Sequence, residues 1–176
     1  MLQTVTTPSI GEAQVEASRE LRQKWQRTSR SRLHFELAGL ALARRMGLDP
    51  EDYARYLWSK GAQDWMGRPD PTAKEYLLKE GEAILSLFPG VSFSIGKASD
   101  EDAELTFTRG CLGGWGKDRW AVARRLNLTK SNVCRYCHEA FRVWSAQLGL
   151  SARTYPQQDG TCTLHVSVSQ RPQTRD

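Results

Sequence analysis

Apolar residues recur with one period as far as Phe88 and with a different one after Val91. That switch limits the fold class more than any other feature of the chain. Up to Phe88 the spacing is three or four residues, the repeat of a helix with one buried stripe. Ala13, Ala17, Leu21 and Trp25 form such a stripe from Glu12 to Arg27, and Ser29 to Ser31 predict a break. Leu33, Leu37, Leu40 and Ala41 predict a second helix from Arg32 to Met46, with Gly47 as its C-cap. Asp49-Pro50 pairs an N-cap residue with proline at the first helical position. A third helix should run from there to about Met66 and bury Tyr53, Tyr56 and Leu57. Asp70-Pro71 repeats the signal for a fourth, with Leu77, Leu78, Ile84, Leu85 and Phe88 available for the core, until Pro89-Gly90 stops it.

Beyond that point the period is two. Val91, Phe93 and Ile95 alternate with polar residues, then Leu105 and Phe107 do the same after a polar turn, which predicts an antiparallel hairpin. A glycine-rich loop, Cys111 to Gly116, leads to a short helix over Lys117 to Leu126. Thr129 or Ser131 can cap a longer helix ending near Gly149. Two strands follow, around Ala152 to Pro156 and Thr161 to Ser169, with Asp159-Gly160 as their turn. The order of four helices, two strands, two helices and two strands predicts an α+β fold. It has N-terminal helices and a four-stranded antiparallel sheet, with two helices between the hairpins.

The 176 residues, 39% of them hydrophobic, suit one domain spanning 1–176. Within it, 1–10 should be disordered or extended, 12–88 helical, and 91–169 the cysteine-containing α+β part. No apolar run reaches 18 residues, so no membrane partner is expected. The first twenty residues lack the basic start and apolar stretch of a secretory signal, which predicts a cytoplasmic protein with reduced thiols. Net charge is +5, and Arg19, Arg22, Lys24, Arg27, Arg30 and Arg32 crowd the first helices. They read as a solvated helix face. No nucleic-acid motif accompanies them, and a nucleic-acid partner is not expected.

All four cysteines fall after residue 110. Cys134, Cys137 and His138 stand at i, i+3 and i+4 of a helix and share one face. With Cys111 and Cys162, each beside a strand end, Cys134 and Cys137 could complete a four-cysteine site for zinc or an iron–sulfur cluster, His138 replacing one member. A second possibility is a reactive thiol. Cys134 near a helix start could act as nucleophile with His138 moving the proton. A third is plain core packing, since Cys137 lies on a stripe with Val133, Ala140, Phe141 and Trp144. Trp115, Trp120 and Trp144 could line a pocket for a small planar ligand. His34 reads as an ordinary helix residue and His165 as a surface residue facing away from the apolar side of its strand.

Asn132-Val133-Cys134-Arg135-Tyr136-Cys137 opening a long helix, the earlier Cys111 and the late Gly160-Thr161-Cys162 hairpin form a pattern over roughly 91–169. It resembles the L-2-amino-thiazoline-4-carboxylic acid hydrolase-like family and the related 4-vinyl-reductase-type ligand-binding domains. One residue separates Gly160 from Cys162 where that family has two. The resemblance implies a fold like the transport-particle and nitric-oxide-sensor ligand-binding superfamily, often dimeric, so a homodimer is expected. It also implies a hydrolase opening a cyclic amide- or thiazoline-like substrate. Cys134 and His138 would be catalytic, Trp115 and Trp144 would hold the small molecule, and the four cysteines could bind metal. The alternative it implies is a non-catalytic small-ligand or metal sensor.

Overall fold

The structure, a computed structural model, describes residues 10–169, the side chains of 10–14 excepted. The expectation for 1–10 therefore lies outside the described residues, apart from Ile10, where a helix already begins.

That helix, α1, spans Ile10–Arg45 without interruption. The expected break at Ser29 to Ser31 does not occur. Ser29 is buried, and its hydroxyl shares one hydrogen between two carbonyls, Trp25 in its own helix at 2.9 Å and Leu87 at 2.6 Å. A serine whose hydroxyl bonds back to the i−4 carbonyl continues a helix, and neither glycine nor proline is present here to stop it. Trp25 Nε1 also donates to the Ser86 carbonyl at 3.0 Å. Leu33, Leu37, Leu40 and Ala41 are buried as the period requires.

Helix α2 spans Pro50–Trp58, with Asp49 and Pro50 in the expected starting positions. The single helix expected up to Met66 is instead two, because Gly61 at φ +96° turns the chain into a separate short helix α3, Ala62–Met66. The face of α2 also differs from expectation. Pro50 and Ala54 are buried, while Tyr56 is 83% exposed and Leu57 is exposed too. Helix α4 spans Ala73–Leu87. Its cap is Thr72, not Asp70. The Thr72 hydroxyl accepts from the Glu75 amide at 3.2 Å, and the Glu75 carboxylate accepts from the Thr72 amide at 2.8 Å. Tyr76, Leu77 and Ile84 face the core, whereas Leu78 and Leu85 face outward.

Four strands form one antiparallel sheet: β1 Phe93–Ala98, β2 Asp102–Phe107, β3 Leu150–Pro156 and β4 Cys162–Val168. Their order is β1-β2-β4-β3, so the last strand in the chain lies between β2 and β3. Ala103, Leu105, Phe107, Leu150, Ala152, Leu164 and Val166 are buried on one face, with Leu105 directly opposite Leu164. The other face is polar. There His165 Nε2 lies 2.7 Å from Asp102 Oδ1. The α+β class and the four-stranded antiparallel sheet are as expected. No helix among the described residues is long and apolar enough to cross a membrane.

Between the hairpins run α5, Gly116–Arg125, and α6, Lys130–Ala146. Thr129 caps α6 through reciprocal bonds with Asn132 at 3.1 and 3.0 Å. Glu139 ties α6 to α2. Arg142 grips both its oxygens at 2.7 Å, and Arg55 adds a third contact at 2.7 Å. These arginines hold the Glu139 carboxyl down at about 2, against the opposing effect of burial. Its folded value lies below its unfolded one, so its contribution is present above the unfolded value and is lost as pH falls from about 4.5 to about 2. The arginines are half exposed, so water screens the pair. Glu139→Gln should therefore destabilise the fold by roughly 1–2 kcal/mol at pH 7. Urea denaturation at pH 7 and pH 3 checks this, with the difference expected to shrink at the lower pH.

Candidate functional site

A short 3-10 turn, Cys111–Gly114, carries the first cysteine. Leu112 and Gly113 take φ +51° and +59°, which folds the chain back sharply. A Cβ on Gly113 would stand 2.4 Å from the Ser92 carbonyl oxygen, so the turn requires glycine there. Gly116 is similarly closed in, since its Cβ would meet that of Cys111 at 2.9 Å. The two glycines press the Cys111 turn against the residues leading into β1 and the start of α5.

Cys134 and Cys137 project from the first half of α6, and Cys162 opens β4. All four cysteines are free, partly buried thiols. Together with Arg119, Trp120, Lys130 and Thr154 they line one cavity of about 30 Å³. That is room for roughly two water molecules at most.

Burial dominates the thiols. It pushes Cys137 up to about 11 and Cys162 up to about 12, with Arg119 acting against it in both cases. It raises Cys134 as well, reinforced by Cys111 and opposed by Arg119 and Lys130. These three sulfurs are therefore protonated near neutral pH. The i, i+3 placement of Cys134 and Cys137 is as read, but among the described residues no three Cys, His, Asp or Glu side chains are arranged to hold a metal ion. A cation already lies among the sulfurs, since Arg119 Nη1 is 4.0 Å from Cys111 Sγ. The zinc or iron–sulfur reading of Cys111, Cys134, Cys137 and Cys162 draws no support from this arrangement.

Arg119 is the least expected residue of the site. Its side chain is 4% exposed, yet its Nε has no hydrogen-bond partner among the described residues. Its nearest carboxylate, Glu36 on α1, stays 3.9 Å from Nη2. Arg119 also faces a second, larger cavity of about 510 Å³. Trp58, Trp65, Phe88, Phe141 and Trp144 give that cavity aromatic walls. The rings pack on one another, Trp58 edge-on to Trp144 at 5.4 Å and Trp65 to Trp144 at 5.8 Å. Cys137 and Arg119 line both cavities, so they form the partition between them.

Glu80 on α4 lines the same large cavity. Its Oε1 accepts from the buried Tyr76 hydroxyl at 3.0 Å. Burial pushes this carboxyl up to about 7 despite the tyrosine's bond.

Trp144 and Trp120, read from the sequence as ligand-lining, border the large and the small cavity respectively. Trp115 borders neither. It is buried in the core against Phe88 at 5.4 Å. His138 is held outside the thiol cavity, where its Nδ1 accepts from the Thr154 amide at 3.3 Å. That bond leaves the proton of the neutral ring on Nε2. Arg119 and Glu80 were not singled out from the sequence, although each had a detectable signal. Arg119 shares a helical face with Val122 and Ala123, and Glu80 shares one with Tyr76 and Ile84. A charged residue on a core stripe is the mark of a buried polar site.

No family model, curated protein or solved structure matches this chain.

Glu80 yields a test of this geometry. Its folded value exceeds its unfolded one, so the folded state binds the extra proton and stability falls as pH rises from about 4.5 to about 7. Glu80→Gln keeps the Tyr76 contact and removes the titration. The variant should match the parent at pH 5 and be stabler by about 1–3 kcal/mol at pH 8, read by thermal or urea denaturation. In a second test, iodoacetamide at pH 7.5 should alkylate Cys137 and Cys162 at under about a tenth of the rate of an unhindered thiol. Peptide mapping resolves the two.

Proposed function

We propose that the protein binds a small organic molecule in the aromatic cavity, with an acidic group of the ligand against Arg119. One observation carries this reading: a guanidinium almost wholly removed from water, with an unpartnered Nε, at the wall of a cavity large enough for a ligand. A buried donor left unmet costs roughly 1–3 kcal/mol, and more when charged. An oxyanion entering the cavity removes that cost. The volume of about 510 Å³ falls within the range of ordinary small-molecule sites, and the rings supply the apolar contact such sites rely on. This is the ligand-binding alternative of the sequence reading, shifted from the cysteines to the neighbouring space.

A second reading is hydrolysis of a cyclic amide- or thiazoline-like substrate, with Cys134 as nucleophile and His138 as proton carrier. The thiols beside the partition support it. The raised Cys134 thiol and the engagement of His138 by Thr154 favour binding over turnover.

Indole-3-propionate is a suitable probe. At a hundred times its dissociation constant a ligand adds about 2.7 kcal/mol of stability, or roughly 5–10 °C in Tm for a chain of this size. The acid should raise Tm in the parent but not in Arg119→Met, and indole-3-propionamide should raise it far less. Equal shifts for acid and amide, or an undiminished shift in Arg119→Met, would overturn the reading. Release of product from a thiazoline substrate that stops in Cys134→Ser would favour the second.

A further inference from the structure

The large cavity holds a second charge-bearing side chain, Glu80, and two cations, Arg32 and Arg119, line the same space. Glu80 belongs to none of the ion pairs among the described residues. Two cations near it in sequence, Lys79 and Arg68, are committed elsewhere. Lys79 donates to the Met66 carbonyl at 3.1 Å and sits 5.4 Å from the centre of the Trp65 ring. Arg68 pairs with Glu75 at 2.7 Å. Among the described residues, the one polar partner of Glu80 within hydrogen-bond distance is the Tyr76 hydroxyl, which occupies a single lone pair of Oε1. An ionised carboxylate has about four acceptor sites, so most of its capacity is unused. Aromatic rings line the same space: Trp65 packs edge-on against Tyr76 at 6.1 Å, and Trp144 packs on Trp65 at 5.8 Å.

A carboxyl without a counter-ion beside indole rings is the chemistry that receives an ammonium group. The carboxylate supplies the charge and hydrogen-bond acceptors, and the ring faces supply quadrupole attraction for whatever part of the cation they cover. Trp65 already shows the second effect toward Lys79. The geometry points to Glu80 as the anchor for a protonated amine of the ligand. It reads a different group from the one read by Arg119, and it sits on a different helix of the same cavity. This rests on the cavity being the ligand site, and it narrows the ligand class to amine-bearing molecules with an aromatic or aliphatic body. The bound amine replaces the proton that burial otherwise keeps on Glu80.

The test compares tryptamine with N-acetyltryptamine, which has the same ring and chain but no basic nitrogen. Titration calorimetry at pH 8 on the parent should show tryptamine binding at least about tenfold tighter. In Glu80→Gln that ratio should fall to near one, and in Glu80→Asp, which keeps the charge, a preference should remain. Thermal denaturation of each variant establishes that it is folded. Equal binding of the two probes to the parent, or an unchanged ratio in Glu80→Gln, overturns the inference. If indole-3-propionate still binds in that case, the cavity reading stands and only the amine anchor falls. If none of the three probes binds, both fall.

Discussion

A buried guanidinium sets the terms for the rest of this molecule. Arg119 is placed by α5 where the 3-10 turn, α6 and the first residue of β4 meet, and none of these offers it a close carboxylate. Glu36 approaches only to 3.9 Å and Cys111 Sγ only to 4.0 Å. Arginine cannot escape such a position by losing its proton. The surroundings must therefore supply electron density, and the elements converging on Arg119 are those that bring the sulfurs and the aromatic rings together. Under the proposed function, the same charge would meet an anion on the large-cavity side of the partition.

The large cavity has opposite chemistry at two of its polar residues. Arg119 offers donors, while Glu80 offers acceptors and is poised near neutrality by burial. Three tryptophans and two phenylalanines stand among the remaining walls. A molecule bound as proposed would be sorted by where its polar groups fall along its length, because each misplaced group would leave a partner unmet. Trp58 and Trp65 both pack on Trp144, so the rings of these walls are in mutual contact.

Much of the architecture was legible in the sequence, because the signals were local. Asp49-Pro50 and Thr129 start helices where expected, and the alternation from Cys162 to Val168 marked the inward face of β4. The failures came from contacts made at long range. Ser29 looks like a breaker until Leu87, 58 residues away, accepts its hydroxyl hydrogen. Tyr56 and Leu57 look like core until Gly61 ends their helix early and α2 turns its Ala54 side toward Val133 and Tyr136 of α6. The gathering of cysteines was readable from their clustering, whereas the cation among them was not. An arginine in a basic helix ordinarily faces water, and only the packing of α6 and the 3-10 turn around α5 encloses this one.

The strand order carries a temporal consequence. Because β4 lies between β2 and β3, the strand bearing Cys162 is the last of the four in chain order and yet occupies the middle of the sheet. As the polypeptide is synthesised, β2 must keep an edge open while α5, α6 and β3 emerge. The β3–β4 hairpin, through Pro156, Gly160, Thr161 and Cys162, supplies one wall of the cavity that Cys111, Cys134 and Cys137 line, so that wall is the last to be synthesised.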